Sequence, residues 1–190
     1  MTWLVLIVRL AGASSRHRVA VWRELRRIGA APVSQGVWTV PDTPHFQGSL
    51  TKVQELAAKG SGDVIVLSTA STGAPGREAV ATAFRTLRLE EWKEFSADCG
   101  KFEVEIAKEI RIEKFTLAEL EEEEQSLERL RRWHRDLKSR DVLELAEATA
   151  AEEHLKNCVA RLEEYADMVY ARLHDDGAPV GPGSADSGWG

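Results

Sequence analysis

The chain is poor in cysteine, with two among 190 residues, and has no uninterrupted apolar run near the ~20 residues of a membrane span. Cys99 and Cys158 are too few for a disulfide framework, so a reducing cytoplasm is the expected compartment and no membrane association is expected. The apolar run Trp3-Leu4-Val5-Leu6-Ile7-Val8 is short, has no basic segment before it and is followed by Arg9. It reads as a buried strand rather than a signal core. Catalytic signatures are missing as well: there is no GxSxG, no Walker loop and no HExxH, and neither CxxC nor HxxxH spacing occurs. The lack of a catalytic motif favours a role other than catalysis and leaves the question open; no cofactor or metal site is expected. His134 and His154 could join the thiols at a metal only if folding brought them together.

What is present is charge, unevenly placed. Residues 1–62 hold eight bases against three acids. Of the chain's 25 bases and 31 acids, that leaves 17 against 28 for the remainder. A basic first half and an acidic second half suggest two units, of which only the first suits an anionic partner.

The first half reads strand, helix, ribbon, helix, strand. Trp3 to Leu10 is the first strand, and Ser14-Ser15 can cap a helix from about Arg16 to Ile28 that stops at Gly29, a residue suited to a left-handed cap. Val19, Trp22, Leu25 and Ile28 form its expected inner stripe; Arg16, Ala20, Arg23 and Arg27 form the opposed, basic one. Val33 to Val40 is extended, with Gly36 as either a bulge or the turn between two short strands. Asp42-Thr43-Pro44 opens a second helix that Lys59-Gly60 closes, and Asp63 to Ser68 is the last strand. That order predicts an α+β, ferredoxin-like (split βαβ) domain over residues 1–70. Residues 71–76 read as a linker, 77–174 as an antiparallel α-helical bundle, and 175–190 as a disordered tail.

Within the helical half, one long helix is expected from about Arg77 to Ile112, with Gly100 as a candidate interruption. Phe84, Leu87, Phe95, Cys99, Phe102, Ile106 and Ile110 should face inward. A second opens on a capping box, Thr116 with Glu119, and carries Leu117, Leu120, Leu127, Leu130, Trp133 and Leu137 at steps of three and four with a polar gap at Glu123 and Glu124. Acids crowd its start and bases its end, which opposes the helix dipole and suits a solvated helix. A third runs from about Leu143 to His174, with Leu155, Cys158, Leu162, Ala166, Val169 and Leu173 inward.

Three stretches together carry a resemblance: Trp3-Leu4-Val5-Leu6 with Trp22-Arg23-Glu24-Leu25; Gly36-Val37-Trp38-Thr39-Val40-Pro41; and Glu94-Phe95 through Cys99 and Phe102 to Leu130-Arg131-Arg132-Trp133. They resemble the N-terminal family of ChrB, the chromate-resistance regulator, over nearly all residues up to about Tyr170. The resemblance implies a cytoplasmic, chromate-responsive transcriptional regulator of a chromate-resistance operon. Its partners would be the promoter DNA of its own operon and chromate or a related oxyanion as effector, with a homodimer expected. The small CRISPR adaptation subunit, whose ferredoxin-like shape is similar, ends its first strand with aspartate. Arg9 and Leu10 stand there in this chain, so no metal-dependent nuclease is expected.

The candidate DNA-binding residues are Arg16, Arg18, Arg23, Arg26 and Arg27, since guanidiniums spaced along one face can neutralise successive phosphates. Ser14, Ser15, Arg16 and Arg18 form a candidate anion seat for chromate at the helix start. Cys99 and Cys158 are redox candidates, and with them stands an alternative reading as a thiol-dependent oxidant sensor or detoxification enzyme. A third reading is a protein-interaction module using the helical half.

Overall fold

A computed structural model describes residues 1–10 and 12–176. The chain order is β1 (Trp3–Arg9), α1 (Ser15–Arg27), β2 (Ala31–Ser34), β3 (Val37–Pro41), α2 (Pro44–Lys59), β4 (Asp63–Ser68), α3 (Ala74–Arg111), α4 (Leu117–Arg140) and α5 (Ala146–Asp176). The strands form one antiparallel sheet in the order β2-β3-β1-β4. Contacts gather the residues into two compact units, 1–95 with 134–151, and 96–133 with those from 152 on. The expected boundary near residue 70 does not coincide with this grouping: α3 starts at Ala74, inside the expected linker, and contributes to both units. The expected tail from Asp175 meets α5, which runs through Asp176, and otherwise lies outside the described residues.

Sheet register explains the burial. Leu4 pairs with Val40 and Ser68, Leu6 with Trp38 and Val66, so these residues share one face. Leu4, Leu6, Trp38 and Val40 are buried there in one cluster with Val21 and Leu25 of α1 and Phe46, Leu50 and Val53 of α2. The opposite face carries Ile7, Val37, Ile65 and Leu67 half-buried or exposed. Gly36, at φ +73°, sits in the turn between β2 and β3, and a separate bulge falls between Pro32 and Ser34. Of the two readings of Gly36, the turn is the one observed.

The same cluster includes Val80 and Phe84 of α3. Phe84 lies 5.2 Å from the Trp3 ring and 6.0 Å from Phe46. One turn on, Arg88 is 1% exposed, donates to the Gly29 carbonyl at 3.2 Å and pairs with Glu91 at 3.0 Å. Burial pushes its guanidinium down to about 10 against the pull of Glu91, so it keeps its charge at neutral pH. Arg140 donates to the Arg26 carbonyl at 3.3 Å. Two cations from α3 and α4 therefore satisfy the carbonyls at the end of α1.

In the second unit, Phe102, Ile106, Leu120, Leu127, Leu130, Leu162, Tyr165 and Val169 are buried. Several expected inward positions are not. Leu117 and Leu173 are exposed, and Ile110, Trp133, Leu155 and Ala166 are only half-buried; in the first unit Leu87, also expected inward, is half-buried too. Leu117 occupies the first turn of α4 and Leu173 the last turns of α5. Gly100 does not interrupt α3: a Cβ there would meet nothing within 4 Å, and the helix simply continues. Half of the expected capping box forms. The Glu119 amide donates to Thr116 Oγ1 at 3.3 Å, while the Glu119 carboxylate takes Lys114 at 2.6 Å.

Candidate functional site

The arginine helix is set by its buried side. Val21, Leu25 and Ile28, at steps of four and three, are almost wholly buried, which leaves the opposite side of α1 to solvent. Val19 and Trp22, expected inward, are 43% and 52% exposed. The reason is phase. Each step of three residues falls about 60° short of a full turn, so Val19, Trp22, Leu25 and Ile28 spread over half the helix circumference. The sequence signal that finds the true face is Val21-Leu25-Ile28.

The helix ends in a Schellman motif, with the Gly29 amide on Arg26 O at 3.0 Å and the Ala30 amide on Leu25 O at 2.9 Å. Gly29 supplies the left-handed residue at φ +78°. The cap fixes where α1 stops and leaves Arg26 and Arg27 in its last turn, where cations oppose the dipole.

All five candidate arginines are exposed, but they differ in what they hold. Arg27 is committed to Glu24, which is 7% exposed: Nε reaches both carboxylate oxygens at 3.0 Å, and Nη2 reaches Oε1 at 2.5 Å. These bonds hold the Glu24 carboxyl below its ordinary range and the Arg27 guanidinium above its own. Arg18 turns back on the helix start, donating to Ala13 O at 2.6 Å and Ser15 Oγ at 3.2 Å. Arg16 and Arg23 have no ion pair among the described residues, and the Arg26 guanidinium stacks 5.8 Å above Trp22. At 100° per residue, Arg16, Val19, Trp22, Arg23 and Arg26 lie on one exposed face. Glu24 is the one carboxylate among the described residues that pairs with any of the five arginines.

The expected anion seat is only partly assembled. Ser14 is the N-cap residue by backbone geometry, yet its hydroxyl bonds His17 Nδ1 at 2.9 Å instead of capping an amide. Ser15 and Arg18 hold each other. Arg16, two residues before Arg18, points about 200° away around the helix. The structure therefore brings Ser14, Ser15 and Arg18 to one end and places Arg16 with the outer face.

The thiols lie in the second unit, both fully buried, with Cys158 Sγ donating to the Cys99 carbonyl at 3.6 Å. The hydrogen bond to Cys158, burial and nearby Glu103 hold the Cys99 thiol above its ordinary range, which disfavours the reactive thiolate. His134 is packed elsewhere, with its ring 5.6 Å from Trp92 and 5.5 Å from Phe95, and His154 is exposed. Among the described residues no three of His, Cys, Asp and Glu are placed to share a metal ion, and no helix is long and apolar enough to cross a membrane.

Comparison with known proteins places this geometry in a context. A family model described as Protein ChrB, N-terminal, matches residues 18–176. Protein ChrB of Cupriavidus metallidurans is 32% identical over 66 residues, which is 35% of this chain and 20% of that protein. The match thus spans a fifth of that relative's length.

Proposed function

Because the chain belongs to the ChrB N-terminal family, whose relation points to a role in chromate resistance, we propose that it is a chromate-responsive transcriptional regulator that grips DNA through the outer face of α1. The observation that supports this most is the exposed set Arg16, Arg23 and Arg26, free of carboxylate partners, with Trp22 set among them. Guanidiniums along one face suit the oxyanions of a phosphate backbone, and an exposed indole adds a surface on which a base or sugar can pack. Arg27 and Arg18 then act by holding the helix together rather than by touching DNA. The sheet order, read from its other edge as 4-1-3-2, supports a ferredoxin-like assignment for the strand-bearing part. In this reading the half-exposed sheet face of Ile7, Val37, Ile65 and Leu67 is where a homodimer closes, doubling the arginine face for a symmetric operator. Chromate, a tetrahedral dianion, is the effector.

The test is a gel shift with the DNA upstream of the protein's own operon, at several salt concentrations and with and without chromate. Retardation should weaken with salt, respond to chromate and fall in Arg16→Ala and Arg23→Ala, each substitution reducing the salt slope by about one unit. Arg27→Ala should leave that slope unchanged. Full retardation by an Arg16→Ala, Arg23→Ala, Arg26→Ala triple variant would refute α1 as the DNA-binding element.

A further inference from the structure

In the second unit, between α3 and α4, lies an open groove of about 720 Å³ with Phe102, Leu130 and Trp133 in its walls. Its volume falls within the roughly 300–1,000 Å³ of small-ligand sites. Most of its charged groups are already engaged: Asp98 holds Lys101 at 2.5 Å, Glu105 holds Lys108 at 2.6 Å, and Arg129 bonds Ser126 Oγ at 2.9 Å. Glu123 is different. It lines the groove, is 7% exposed, and its carboxylate has neither ion pair nor hydrogen bond among the described residues.

What surrounds Glu123 makes this arrangement costly. Glu105 and Glu109 face it from α3, Glu119 and Glu122 from α4, and Tyr165 lies near it from α5. Lys108 and Lys114 serve Glu105, Glu109 and Glu119, and none of these cations reaches Glu123. Burial and these like charges push its carboxyl above the usual carboxylate range. The stem of Glu123 is buried while its carboxylate opens on the groove, and a partly desolvated carboxylate without a partner gains when a positive group arrives to meet it.

We infer that the α3–α4 groove binds an organic cation, its ammonium or guanidinium head seated on Glu123 and its aliphatic stem laid against Phe102, Leu130 and Trp133. The aromatic walls add to this, since an indole or phenyl face attracts a cation and covers an apolar stem at once. The acidic balance of the lining, four carboxylates against Lys101 and Arg129, disfavours an anion. A free polyamine and an arginine or lysine side chain of a partner segment share this chemistry. The site is independent of the arginine face of α1, so either reading can fail without the other.

Isothermal titration of the full chain tests it, with spermidine and an acetylated, amidated Leu-Arg-Leu peptide as probes. At least one should bind. Glu123→Gln should weaken binding about tenfold or more, whereas Glu163→Gln, at an exposed position of α5 outside the groove, should change it less than about threefold. Spermidine alone identifies a free polyamine as the source, and the peptide alone a basic partner segment; either supports the site. No binding of either probe at millimolar concentration, or unchanged affinity in Glu123→Gln, would overturn it. Glu123→Gln removes a buried charge and keeps the side-chain shape, so its fold is not at risk.

Discussion

Glu123 sits where α4 interrupts its own apolar pattern, between Leu120 and Leu127, and the chain buries it anyway. The folded state holds its proton more tightly than the unfolded chain does, chiefly through burial and then through Glu105 and Glu122. The stability that the protonated form contributes is complete below the ordinary carboxyl value of about 4.3 and is lost as pH rises through the folded value. Melting temperatures of the wild type should therefore fall across that interval relative to Glu123→Gln, and the two should converge at lower pH. Superimposable pH profiles by circular dichroism would sink this account. At this scale the sequence was an uneven guide. Pattern alone marked Glu123 as a polar gap, a solvated position, because the like charges around it come from α3 and α4 together. The fully buried Arg88 and Trp92 were likewise beyond reach, since their partners Gly29 and Asp141 lie 59 and 49 residues away. The Glu24 pair of Arg27, three residues along one helix, was within reach of a simple spacing rule.

Elements were more legible than residues, because their signals are local. The bounds of β4, the closing of α1 at Gly29 and the opening of α2 after Thr43 all follow from turn and cap chemistry within a few positions. What local chemistry did not convey was the rotation of α1, which decides that Trp22 faces solvent with the arginines. The C-cap offers a direct test of how tightly that rotation is fixed. A Cβ on Gly29 would stand 2.6 Å from Arg140 Cδ and 2.8 Å from Arg88 Nη1, at a backbone φ of +78° that side chains rarely adopt. Gly29→Ala should cost about 1–3 kcal/mol, combining left-handed strain with displacement of the two arginines that meet the end of the helix. Urea unfolding should show a lower midpoint with an unchanged slope. An unchanged midpoint would mean that the arginines move aside freely and that the cap is not what orients α1.

For the molecule as a whole, the switch from alternating to helical pattern near residue 70 suggested a natural cut, but hydropathy says nothing about which helix covers which strand. Val80 and Phe84 belong to the same cluster as Leu6, Val40 and Phe46, and Val142 and Leu143 pack against it. Phe84 is wholly buried between Trp3 and Phe46, and emptying such a site costs about 3–5 kcal/mol. A fragment of residues 1–70 loses Phe84, Val80 and the Arg88 contact to α1 together, a loss comparable to the roughly 5–15 kcal/mol that holds a typical domain folded. That fragment should give a collapsed amide region in a proton–nitrogen correlation spectrum and no cooperative melt, while the full chain gives both dispersion and cooperativity. A dispersed spectrum with a sharp transition would instead establish the strand-bearing part as autonomous. DNA retardation by that folded fragment would then assign the arginine face its function without any contribution from the helices.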